Sequence, residues 1–171
     1  MKRTIYYMLV SLLLCGCEGH FTTWKELNED WLESNKANLG SDPYVVEEPY
    51  ILPSGIQYEV YHRGYGAVPK PTVDPSTGYS SQICVAYSGN LIDGTEFDSS
   101  GDSAIWLSLG DCIDGWKEVL GTMPQGSHVK MYIPASMGYG SDGSEDFKGN
   151  FVVPPHSTLI FDVELVDVTN Y

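Results

Sequence analysis

The stretch 158–168 alternates apolar and polar side chains, and that alternation does most to fix what this chain can fold into. Leu159, Phe161, Val163 and Leu165 fall on one side, Asp162 and Glu164 on the other. Successive side chains of a strand point to opposite faces, so the pattern predicts a long strand with one face in a core. Such a strand needs neighbours, and further strand signals lie at 82–87, 104–109 and 128–133. A fourth opens the domain, where Ile56, Tyr58 and Val60 should face in and Gln57, Glu59 and Tyr61 out. Between the strands, Trp116, Val119 and Leu120 sit at i, i+3 and i+4, and Gly121 is placed to end that short helix. The stretch 69–78 holds Pro69, Pro71 and Pro75 and predicts a long irregular loop. One small helix among several strands predicts an α+β domain built on a curved antiparallel sheet.

The amino-terminal residues carry a different signal. Lys2 and Arg3 precede an apolar stretch, Ile5 to Leu14, too short for a stable bilayer span. Leu14-Cys15-Gly16-Cys17 looks like a bacterial lipobox, so residues 1–16 read as a lipoprotein signal peptide and Cys17 as the lipidated first residue that remains. An ordinary secretory leader with a coincidental cysteine is the other reading. Residues 17–50 read as a helical arm and an extended linker. Thr23 and Glu26 fit a capping box, and Trp24, Leu27, Trp31 and Leu32 make one apolar face that should fade near Asn38-Leu39-Gly40 before Pro43. That arm is either a spacer packed on its own domain or a dimerisation element. The net charge of −14 repels nucleic-acid backbones and anionic headgroups alike, so nucleic acid is excluded as a partner and lipid, not charge, would hold the chain at a membrane.

The run Tyr87-Ser88-Gly89-Asn90-Leu91-Ile92-Asp93-Gly94-Thr95-Glu96-Phe97-Asp98-Ser99-Ser100 is a strand end, a turn, and then an aromatic beside a carboxylate. Gly115-Trp116, Gly138-Tyr139-Gly140 and Val152-Val153-Pro154-Pro155-His156 follow it. In order and spacing these motifs resemble the FKBP-type peptidyl-prolyl isomerases, over roughly Leu52 to Val168. The resemblance implies an FKBP-like five- or six-stranded antiparallel curved sheet wrapped on one short helix, here occupying 51–171 behind the helical arm. It implies peptidyl-prolyl cis-trans isomerase activity on X-Pro bonds of exported proteins, with a macrolide as a further ligand class. No cofactor and no metal are implied. Tyr87, Phe97, Trp116 and Phe161 would form aromatic walls and floor, and Ile113 and Val153 aliphatic walls, with the Ile113 N–H donating to a substrate carbonyl. Tyr139 would present a hydroxyl donor and Asp98 a buried acceptor; Asp98, Tyr139 and Trp116 are the candidate catalytic residues.

The sequence departs from the family at three places. The family usually has an arginine shortly after the aspartate, whereas Ser99-Ser100-Gly101-Asp102-Ser103 follows Asp98 and no Lys or Arg occurs between Lys70 and Lys117. The loop from Gly110 to Trp116 is short, puts Cys112 where an aliphatic wall residue is common, and leaves an aromatic near Ile105-Trp106 displaced. The loop from Ser141 to Phe151 is long and acidic. The missing arginine keeps open a second reading, a chaperone-like or peptide-binding module with weak turnover, and a third is an envelope scaffold acting through the arm. By the same family analogy Tyr87 and Cys112 share the pocket side, while alternation puts Cys84 on the face opposite Tyr87, so the two thiols should stay unpaired. The literal G-x-G-x-x-G of Gly138 to Gly143 lacks the following helix a dinucleotide site needs. Asp142, Glu145 and Asp146 do not have EF-hand spacing. The expected setting is the bacterial cell envelope, lipid-anchored through Cys17, with oligomers formed through the arm.

Overall fold

The computed structural model describes residues 18–170, with side chains from residue 23, so the leader and Cys17 lie outside the described residues. Helix α1 (Glu18–Asn35) comes first, followed by strands β1 (Tyr50–Ile51), β2 (Gln57–His62), β3 (Gln82–Asn90), β4 (Glu96–Ser99) and β5 (Ile105–Ser108). Helix α2 (Asp114–Leu120) follows, and then β6 (His128–Ile133), β7 (Ser144–Glu145), β8 (Phe151–Val153) and β9 (Leu159–Thr169). Short 3-10 turns occupy Leu109–Asp111 and Ala135–Met137. The main sheet has the order β1-β2-β6-β9-β3-β4 with β5 also on β3, and every pairing is antiparallel. The expected five or six strands are therefore seven. The difference arises because β3 spends residues 82–85 on β5 and residues 88–90 on β4, and because the two-residue β1 adds to the far edge.

The alternation read in the sequence decides the core. Leu159, Phe161, Val163 and Leu165 of β9 are buried, as are Ile83 and Val85 of β3 and Val129, Met131 and Ile133 of β6. Helix α2 presents Trp116, Val119 and Leu120 to this cluster. It can approach closely because residue 115 has no side chain: a Cβ there would lie 2.6 Å from Cγ2 of Ile133. Gly121 ends α2 as expected, though with ordinary helical dihedrals (φ −62°), so its left-handed freedom is not what is used.

The second face of the sheet departs from the expectation. Gln57 and Glu59 are buried as deeply as Ile56 and Val60, because the arm covers the outer side of β2 and β6. Gln57 Nε2 donates to the Leu32 carbonyl at 2.7 Å and its Oε1 accepts from Asn35 Nδ2 at 3.0 Å. Glu59 accepts from Gly40 N at 2.7 Å and from the Tyr132 hydroxyl at 2.8 Å. Buried polar groups are tolerated only when bonded, and these are. Trp31 packs on Tyr132 with ring centroids 5.9 Å apart. The contact face of α1 is Trp24, Asn28, Trp31, Leu32 and Asn35, a stripe at i, i+4, i+7, i+8 and i+11. Leu27, expected on it, is 40% exposed. The hydrophobic stripe of the sequence omitted the two asparagines, whose amides match the polar outer face of the sheet. Nor does the helix start at a Thr23 cap, since it is continuous from Glu18. The arm thus packs on its own domain.

Among the described residues no helix is long and apolar enough to cross a membrane. The acidic stretch 141–151, expected as a loop, carries β7 and the turn of the small β7–β8 hairpin, whose second strand runs on to Val153. Its turn is closed by Asp146, whose carboxylate accepts from the backbone of Lys148 and Asn150 at 2.8 and 2.9 Å. Such side-chain-to-backbone bonds let a short acidic segment turn without a core of its own.

Candidate active site

Four rings converge where β3, β4, β9 and α2 meet. Tyr87 stands edge-on to Trp116 with centroids 5.1 Å apart, Phe161 to Trp116 at 5.2 Å, and Phe97 to Phe161 at 5.4 Å. Tyr87 and Phe161 are 6.2 Å apart. Edge-to-face packing sets the positive rim of one ring against the negative face of the next. Trp116 and Phe161 are 4% and 3% exposed, and Tyr87 and Phe97 are half-buried. The arrangement depends on Gly89 in the middle of β3. A Cβ there would lie 2.7 Å from Phe161 and 2.9 Å from Phe97, closer than van der Waals contact allows.

The remaining candidates lie in or against the same core cluster. Ile113 is the extended residue before α2, and its carbonyl accepts from Trp116 N and Lys117 N. Val153 ends β8 and is 1% exposed within the core cluster. Tyr139 follows the 3-10 turn at 135–137 and packs half-buried on the same cluster. Burial first, then the charge of Asp98, raise its hydroxyl above the ordinary phenol value, which keeps it a donor. Burial and a hydrogen bond to Asp98 do the same for Tyr87.

Asp98 is where expectation and structure part. Its side chain is exposed, not buried. The Tyr87 hydroxyl donates to its Oδ2 at 2.8 Å, and no Lys or Arg pairs with it among the described residues. β4 is an edge strand, so solvent takes the place of the missing arginine and an unpaired buried charge is avoided.

Cys84 and Cys112 are both free, as expected. Burial pushes the Cys112 thiol up to about 11, and its Sγ donates to the Ser108 carbonyl at 3.4 Å. Trp106 points away from the rings and is 51% exposed, while its neighbour Leu107 packs against the core cluster beside them. That is the displaced aromatic anticipated from the sequence. Sequence reasoning passed over Ser100, which accepts from Tyr87 N at 3.0 Å and donates its own N–H to Tyr87 O at 3.0 Å. It also passed over Gly89 as a site residue. Both act only across strands, and the sequence neighbours of neither reveal it. The indole Nε1 of Trp116 is buried without an acceptor among the described residues.

A family model described as FKBP-type peptidyl-prolyl cis-trans isomerase matches residues 74–166. An FK506-binding protein of Neisseria meningitidis serogroup C is 47% identical over 91 residues, covering 51% of this chain and 79% of that protein. The outer membrane protein MIP of Legionella longbeachae is 36% identical over 148 residues, 84% of this chain but 54% of that protein. The FKBP-type 22 kDa peptidyl-prolyl cis-trans isomerase of Escherichia coli is 40% identical over 118 residues, 67% of this chain and 50% of that protein, so the chain spans about half the length of these two relatives. The crystal structure of FkpA from Escherichia coli superposes with a TM-score of 0.70 at 29% identity, covering 90% of this chain and 64% of that one.

Proposed function

The chain belongs to the FKBP-type peptidyl-prolyl cis-trans isomerase family, and from that premise we propose that it catalyses rotation about X-Pro bonds of exported polypeptides in the pocket lined by Tyr87, Phe97, Trp116 and Phe161. The convergence of those four rings is the observation that carries the reading. Amide resonance opposes rotation by about 18–20 kcal/mol, and uncatalysed X-Pro exchange takes tens to hundreds of seconds. No nucleophile is needed. The site has only to fit the half-rotated imide better than either planar form, and each 1.4 kcal/mol of that preference gives about tenfold in rate. The rings grip the pyrrolidine and keep water from the nitrogen as it loses conjugation. Ile113 N–H and the Tyr139 hydroxyl serve the displaced carbonyls, Val153 closes the aliphatic side, and Trp116 Nε1 is a buried donor a bound chain can satisfy. Asp98 orients Tyr87 through the 2.8 Å bond. A macrolide is a ligand class suited to the same rings.

Residues 1–16 act as a lipoprotein signal peptide, Cys17 as the lipid anchor, 17–50 as arm and linker, and 51–171 as the isomerase domain, at a bacterial cell envelope. The lipobox-like run and a relative named as an outer membrane protein support that placement. Exposure of Asp98 without a cation favours one second reading, a peptide-binding module with little turnover. Exchange spectroscopy on a proline tetrapeptide separates the two. Turnover that drops in Tyr139→Phe, Asp98→Ala and Trp116→Leu supports the enzyme, and saturable peptide binding with no rate enhancement supports the module.

A further inference from the structure

Helix α1 lies outside the family match, which begins at residue 74, yet it bonds directly to the turn that joins three site residues. Residues 154–158 link Val153 at the end of β8 to β9, which carries Phe161. The same turn holds the Tyr139 loop, because His156 N donates to Gly140 O at 2.8 Å. His156 is the one non-glycine at positive φ (64°) among the described residues, a conformation that persists only where the surroundings over-determine it.

The arm supplies that constraint. Trp24 Nε1 donates to Ser157 Oγ at 2.9 Å, and Ser157 Oγ donates onward to Pro154 O at 2.7 Å. Thr158 N donates to Asn28 Oδ1 at 2.7 Å, while Asn28 Nδ2 donates to Trp24 O at 2.8 Å. Asn28, Ser157 and Thr158 are 1%, 2% and 2% exposed, so neither bond has water as a ready substitute. Trp24 also packs against the core cluster, while a cleft of about 250 Å³ remains along the seam between Leu32 and Gly140.

We propose that Asn28 and Trp24 are positioning residues of the prolyl site, which brace the 154–158 turn from outside the domain and so keep Tyr139, Val153 and Phe161 in one arrangement. The kinetic part rests on the isomerase reading; the brace itself does not. If the turn loosens, the competent fraction of the pocket falls and apparent affinity falls with it, while the saturated rate is retained.

The test uses the full chain with Asn28→Leu, Trp24→Phe and Ser157→Ala. Tetrapeptide exchange gives KM and kcat, and NMR hydrogen exchange follows the amides of His156 and Val163. In Asn28→Leu, KM should rise about tenfold with kcat within about twofold. The His156 amide should exchange about tenfold faster while Val163 in β9 is unchanged. Trp24→Phe should shift both in the same direction, and so should Ser157→Ala, which removes the acceptor of Trp24 Nε1. KM and His156 exchange unchanged in both Asn28→Leu and Trp24→Phe overturn the proposal, as does equal acceleration at Val163. If Asn28→Leu does not fold, Trp24→Phe and Ser157→Ala decide. A parent without turnover removes the isomerase reading alone, and the exchange rates still judge the brace.

Discussion

At the scale of single residues, two positions show how little side chain the site tolerates and how little charge it needs. Gly89 has no room for a Cβ, because Phe161 and Phe97 fill the space over it. Gly89→Ala should therefore cost about 1–3 kcal/mol by overpacking, read as a lower urea midpoint at unchanged slope, and should weaken peptide binding together with stability. Asp98 is the opposite case. Exposed and bonded only to a hydroxyl, it contributes little to the fold. Asp98→Ala should shift unfolding by no more than about 0.5 kcal/mol while lowering kcat/KM; a stability loss of the same size as the rate loss counts against its role in the site. Cys112 gives a chemical check on burial. With its thiol near 11, only about a thousandth is thiolate at pH 8, so iodoacetamide should label it far more slowly than it labels a small free thiol.

At the scale of elements, the sheet carries a titrating link between β6 and β9. His128 Nε2 and Asp162 Oδ1 are 2.6 Å apart, and the hydrogen bond to Asp162, together with the Asp162 and Glu164 charges, raises the imidazole above its ordinary value against some desolvation. Tyr61 stacks on the same ring from β2 at 5.2 Å. A raised folded value means that the contribution is fully present below about pH 6.5 and is lost as pH climbs through the folded value. Both groups are more than a third exposed, so the effect is small. The gap in urea midpoint between the parent and His128→Gln should be widest near pH 6 and close toward pH 8; a gap that widens with pH contradicts the assignment. The arm teaches a related lesson about elements. Its periodicity was legible as Trp24, Trp31 and Leu32, but the asparagines that share its docked face look like solvent-side residues until the polar outer face of β2 is known.

At the scale of the whole molecule, a net charge of −14 and a pocket bordered by Asp98 favour cationic polypeptides. Association with lysine-flanked proline peptides should exceed that with glutamate-flanked ones at low salt, and the difference should shrink by 0.5 M salt as exposed charges are screened. Equal affinity at all salt concentrations removes charge as a determinant. The proposed anchoring through Cys17 belongs to this scale too. Cys17→Ala should abolish labelling by a fatty-acid analogue and release the chain from the membrane fraction, since more than one acyl chain is what stable attachment requires. Retention of the variant at the membrane points to another tether.

Most of the sheet was legible because strand alternation is a local consequence of backbone geometry: 128–133 became β6, 82–87 and 158–168 fell within β3 and β9 to within a few residues, and Trp116, Val119 and Leu120 became one face of α2. The rings of the site were legible through motif order, which names residues without placing them. What only the tertiary structure decided is what lies across from each residue. Gln57 and Glu59 follow the polar half of an alternating pattern, yet they are buried, because the upstream arm settles on them, with Leu32 and Asn35 bonded to Gln57 and Gly40 to Glu59. Asp98 follows a motif in which its counterpart is expected to be buried, yet it meets water, because it sits on an edge strand with no cation opposite. A chain's pattern sets which face each side chain takes; whether that face is dry or wet depends on which distant element comes to rest against it.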